Sequence, residues 1–121
     1  MAKIMIIDDD PETAKLLEAI INLDGHETSI VQDSRIAIRA VETFMPDLVL
    51  LDIMMPEIDG ITICKMIKST PSTSHIKVMM VSALSTDATR KDSRDAGADQ
   101  FVSKPVLPRP FSQQVKDLLA Q

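Results

Sequence analysis

The chain has 121 residues, enough for one domain that buries a core without disulfide or metal staples. Apolar residues make up 45% and charged residues 26%, which excludes a disordered polymer. The 13 basic and 18 acidic side chains leave a formal charge of −5, which argues against direct nucleic-acid binding by this domain, since phosphate neutralisation needs clustered Lys and Arg.

Lys3 to Ile7 (KIMII) reads as a first, buried strand. Its four consecutive apolar residues are too few for a signal peptide, and no stretch approaches membrane-spanning length, so a cytoplasmic location without membrane contact is expected. The run ends on Asp8, Asp9 and Asp10, followed by Pro11. Asp10 reads as a helix N-cap with Pro11 at the first helical position, where its missing N–H costs nothing. Only one of the three aspartates is needed for that task. The helix presents Ala14, Leu16, Leu17, Ile20, Ile21 and Leu23 as a wide apolar face and stops at Asp24-Gly25.

Thr28 to Val31 is a shorter, more polar strand suited to a sheet edge. A second helix runs from Ser34 to Phe44, with Ile36, Ala37, Ala40, Val41 and Phe44 at helical spacing, and Met45-Pro46-Asp47 ends it. Leu48 to Leu51 is an unbroken apolar run, the mark of a central strand covered on both faces, because a half-exposed strand would alternate. It stops on Asp52, ahead of a turn built from Pro56, Asp59 and Gly60. A third helix covers Ile61 to Ser69, with Ile61, Cys64, Met66 and Ile67 as its apolar positions. Cys64, the sole cysteine, reads as a small buried hydrophobe and cannot form an internal disulfide.

Ile76 to Val81 is the fourth strand, ending at Ser82 and Ala83. Thr86 to Ala96 is a polar helix that closes on Gly97. Asp99 to Val102 is the fifth strand and runs into Ser103, Lys104 and Pro105; residues 111 to 120 form a last amphipathic helix. The sequence leaves the course of Val106 to Pro110 (VLPRP) open. His26 and His75 fall in turns without metal-ligand spacing and are expected in solvent. The eight methionines read as flexible core packing rather than as a binding groove.

Five strands alternating with five helices predict an α/β fold: a doubly wound (βα)5 three-layer sandwich, its five-stranded parallel sheet in the flavodoxin-like order 2-1-3-4-5. One domain over residues 1–121 is expected. The carboxyl ends of strands one, three, four and five then present Asp8 with Asp9, Asp52, Ser82 and Lys104 at one sheet edge, where open α/β sheets collect their chemistry. Asp52 taken alone also suits a plain turn cap. Three acids packed together repel one another unless a cation intervenes, and oxygen donors without His or Cys suit Mg2+. A carboxylate held ionised there can attack a phosphoryl group and form an aspartyl phosphate, with Lys104 and Ser82 stabilising the transferred oxygens.

The acidic pair Asp8-Asp9, the segment DIMMPEIDG after strand three, Ser82-Ala83 after strand four and Lys104-Pro105 after strand five resemble the receiver domains of two-component response regulators. The resemblance covers essentially the whole chain, and the separations of Ser82 and Lys104 from Asp52, 30 and 52 residues, agree with it. It implies that Asp52 is phosphorylated by a sensor histidine kinase or a histidine phosphotransfer protein. It implies also that Asp9, Asp52 and the backbone carbonyl of Met54 ligate Mg2+, with Asp8 acting mainly through water, and that the Lys104-Pro105 bond is cis. Phe101 matches the switch aromatic that turns inward when Ser82 is drawn to the phosphoryl group; its alternative role is plain strand packing. The output surface implied is the fourth helix, fifth strand and fifth helix, used toward an output domain, a partner protein or a homodimer.

Met54 and Leu84 fall two residues beyond Asp52 and Ser82, positions that in this family flank the path of the hydrolysing water. Both are apolar, which implies a long-lived phosphorylated state; alternatively they pack on each other or on a partner. A true phosphohydrolase resembling the haloacid dehalogenases would carry a second Asp two residues after the nucleophile, where this chain has Met54. No enzymatic turnover of external substrates is therefore expected. A degenerate receiver that serves only as an interaction domain is disfavoured by the complete residue set. The chain reads either as a stand-alone receiver or as one domain of a longer regulator or hybrid kinase.

Overall fold

Strands β1 (Lys3–Ile7), β2 (Glu27–Val31), β3 (Leu48–Leu51), β4 (Lys77–Ser82) and β5 (Gln100–Ser103) pair in parallel in the order β2-β1-β3-β4-β5. The computed structural model describes all 121 residues. Between the strands run α1 (Pro11–Leu23), α2 (Ala37–Phe44), α3 (Gly60–Ser69) and α4 (Asp87–Asp95), and α5 (Pro108–Leu119) closes the chain. The doubly wound expectation holds, including the strand order. No helix is long and apolar enough to cross a membrane.

Alternation along the strands divides the core between the two faces of the sheet. Met5, Ile7, Val49, Leu51, Val78 and Met80 pack with Val41 of α2 and with Ile63, Cys64 and Ile67 of α3. Ile4, Ile6, Leu48, Leu50, Met79 and Val81 pack with Leu17 and Ile21 of α1 and with Phe111 and Val115 of α5. All four residues of β3 are therefore buried, which explains why its sequence does not alternate. Cys64 is fully buried among them, and burial pushes its thiol up to about 11.

Local chemistry sets most helix starts. Asp10, Asp59 and Thr86 each accept a backbone N–H of the first turn, and Asp10 also accepts the Thr13 hydroxyl at 2.6 Å. Two elements differ from expectation. The segment expected to open the second helix is a 3-10 turn over Ser34–Ile36, because Ser34 donates to the Pro56 carbonyl at 2.6 Å and accepts the Ile58 N–H at 3.2 Å, which fixes that turn to the β3–α3 loop. The last helix starts at Pro108 rather than at 111, since Pro108 and Pro110 both lie in the first turn, where no N–H is required.

Two packing expectations need correction. His75 is exposed as expected, but His26 is half-buried and its Nδ1 accepts the Ala2 N–H at 3.0 Å, joining the chain start to the turn before β2. Met5, Met55, Met79 and Met80 are buried, whereas Met1, Met45, Met54 and Met66 are exposed, so only half of the methionines fill the core. Met45 caps the end of α2 with a left-handed backbone (φ 49°).

Candidate functional site

The register carries four chain segments to one edge of the sheet. Where β1 ends, the Asp8 N–H donates to the Val31 carbonyl at 3.1 Å, and where β3 ends, the Asp52 N–H donates to the Ile7 carbonyl at 2.9 Å. Ser82 pairs with Ser103, and the Lys104 N–H continues that ladder to the Ser82 carbonyl at 3.0 Å. The side chains that follow meet there. Ligand oxygens of Asp8, Asp9 and Asp52 lie within 4.8 Å of one another. Lys104 Nζ stands 2.9 Å from Asp8 Oδ2 and 3.6 Å from Asp52 Oδ1. Asp10 stands aside as the cap of α1.

Asp8 and Asp52 are buried, Asp9 is exposed and Ser82 is fully enclosed. Burial raises the Asp52 carboxyl above the usual carboxylate range, and the neighbouring charge of Asp8 raises it further; Lys104 and the Ile53 N–H, which donates to Oδ1 at 2.9 Å, pull the other way. The cluster is thus an acidic site that its own lysine does not fully balance. Asp8 commits Oδ1 to the Asp10 N–H and Oδ2 to Lys104, whereas Asp52 commits only Oδ1 and keeps Oδ2 free. Three carboxylates with an uncommitted oxygen, and no imidazole or thiolate among them, fit a hard divalent cation.

A family model for the response regulator receiver domain matches residues 4–116, from β1 into α5. The chain belongs to that family. This receiver is 36% identical over 105 residues to the response regulator PleD of Caulobacter vibrioides, a match that covers 87% of the chain and 23% of PleD. It superposes with a TM-score of 0.91 on the signal receiver domain of a signal transduction histidine kinase from Syntrophus aciditrophicus, at 33% identity and covering 99% and 91% of the two chains. With the BeF3-activated DrrB receiver domain the TM-score is 0.89 at 30% identity, covering 100% and 99%. The chain spans less than half the length of the curated relatives it matches.

Within the receiver, Phe101 is half-buried against the α2–α3 side of the core, and the guanidinium of Arg90 covers its ring at 4.5 Å. Ser82 Oγ accepts the Leu84 N–H at 3.1 Å. Met54 and Leu84 are 62% and 38% exposed, so neither is a core residue; Met54 lies two residues past Asp52 and lines a cavity with Thr62, Lys65 and Asp92. The Lys104-Pro105 bond is cis. Gly60 has a role that its place in a turn does not reveal. A Cβ there would meet the Asp52 carbonyl oxygen and come within 2.8 Å of the Ile53 Cα, so a glycine is what lets α3 begin against the backbone of Asp52.

Proposed function

We propose that residues 1–121 form one receiver unit that acts as a phosphorylation-controlled switch, with Asp52 as the phosphoacceptor. The observation that carries this reading is the free Oδ2 of Asp52, held beside Asp8, Asp9 and Lys104 at the carboxyl edge of the sheet. Asp8, Asp9, Asp52 and the Met54 carbonyl would hold Mg2+, Asp8 mainly through water; once bound, the ion neutralises the acidic cluster and stabilises charge on a phosphoryl oxygen. The Asp52 carboxylate forms a new O–P bond as the P–N bond of a phosphohistidine breaks, and the electron pair leaves with the imidazole. Lys104, already 3.6 Å from Asp52, follows the negative charge onto the transferred group. Ser82 offers its hydroxyl proton to the same group once Oγ releases the Leu84 N–H.

The donors are a sensor histidine kinase or a histidine phosphotransfer protein in the cytoplasm. The response is a population shift in the surface of α4, β5 and α5, read by an output domain, a partner protein or a second copy. The chain catalyses only its own phosphorylation and slow dephosphorylation. Incubation with acetyl phosphate and Mg2+, followed by intact-mass measurement, tests the assignment. One phosphoryl group is expected on the wild type and none on Asp52→Ala; labelling that survives the substitution places the acceptor elsewhere.

A further inference from the structure

Helix α4 has no apolar face: its buried residues are Thr89 and Ser93. It is tied to the sheet through Arg90. The guanidinium lies 4.5 Å from the Phe101 ring centroid, Nη2 donates to Ser103 Oγ at 2.9 Å, and Nε donates to the Ser85 carbonyl at 3.4 Å. Ser85 lies in the loop that Ser82 holds through the Leu84 N–H, and Ser103 is the register partner of Ser82. One half-buried side chain therefore joins the switch aromatic, the strand that leads into Lys104 and the loop that leaves Ser82.

We propose that Arg90 is a latch: a positioning residue that locks the conformation in which Ser82 Oγ faces Leu84. For Ser82 to turn toward a phosphoryl group on Asp52, the loop through Ser85 must follow, and both the Ser85 and the Phe101 contacts of Arg90 must loosen. The planar guanidinium stacks on a ring and donates from its edge at the same time, which an ammonium cannot do. The latch biases the switch toward the unphosphorylated arrangement, and so it rests on the reading of Asp52 as phosphoacceptor.

Three phenylalanines, Phe44, Phe101 and Phe111, make fluorine NMR of fluorophenylalanine-labelled protein readable, with Phe101→Leu giving the assignment. Wild type, Arg90→Met and Arg90→Lys are compared without ligand and in titrations with beryllofluoride and Mg2+. Arg90→Met is expected to move the Phe101 resonance in ligand-free protein while leaving Phe44 and Phe111 in place. It is expected also to tighten beryllofluoride binding about threefold to tenfold, the scale set by one half-exposed cation–π contact and a long, weak hydrogen bond of 3.4 Å to Ser85; Arg90→Lys falls between. A variant that is thermally less stable yet binds the phosphoryl mimic more tightly is not what a merely structural arginine would give. An unmoved Phe101 resonance, or unchanged or weaker binding by Arg90→Met while the wild type binds, overturns the latch. Wild-type protein that binds no beryllofluoride overturns the phosphoacceptor reading and the latch together, so the two failures are told apart.

Discussion

With Asp52 proposed as the phosphoacceptor, the lifetime of the phosphorylated state is expected to depend on two apolar residues, Met54 and Leu84. The carboxylate is shared among charges that oppose one another, but hydrolysis of its phosphorylated form needs a positioned water. Met54 and Leu84 are exposed and offer no hydrogen bond to such a water. One orienting hydrogen bond of about 1.4 kcal/mol corresponds to a tenfold change in rate. Met54→Asn is therefore expected to shorten the half-life of the phosphorylated protein about tenfold, measured by the loss of the phosphoryl group after the donor is removed. A half-life that Asn does not change would mean that these residues serve contacts with a partner instead. Met54 acquires this meaning only from its distance to Asp52, two residues in sequence, which is why the sequence shows it. Arg90 is hidden there, since its partners lie five, 11 and 13 residues away on another strand and loop.

Elements were legible where their causes are local. Asp10 with Pro11, the LVLL run of β3 and Gly97 after α4 (φ +99°) each act within a few residues, and the structure places those elements within one or two positions of expectation. The first turn of the second helix was not legible, because the bond that tightens it reaches 22 residues away to Pro56. The proline pair before Phe111, whose course the sequence leaves open, is a helix start, which depends on where the preceding loop aims the chain. Gly60 belongs to the same class. It reads as a turn glycine, yet its need is set by the backbone of Asp52 against which α3 begins. Gly60→Ala is expected to cost about 1–3 kcal/mol, because a Cβ meets backbone atoms that cannot rotate away. The melting temperature should fall by about 5–10 °C, and beryllofluoride affinity should fall with it. Loss of stability with full affinity would show that α3, rather than the Asp52 segment, yields to the added methyl group.

At the scale of the whole molecule, the acidic edge would make the folded state and the proposed cation interdependent. Folding raises the Asp52 carboxyl because of burial first and the Asp8 charge second, so the favoured protonated form is present below the ordinary carboxylate range, and the stability it contributes is lost as pH rises through the folded value. At neutral pH the unliganded fold therefore carries the repulsion of its own site. A cation that binds only the folded chain returns stability by mass action, about 1.4 kcal/mol at ten times its Kd. For a domain of this size that raises the melting temperature by about 5 °C. Asp9 provides the clean test, since it is exposed and its removal leaves no buried partner unpaired. Asp9→Asn is expected to melt at or slightly above the wild type in EDTA, because one repelling charge is gone, and to lose most of the Mg2+-dependent rise. The wild type and the variant thus exchange order between EDTA and Mg2+. An equal rise in both proteins would place the ion away from the three carboxylates. A variant that melts lower in EDTA would mean that Asp9 supports the fold through contacts that outweigh its repulsion of Asp8 and Asp52.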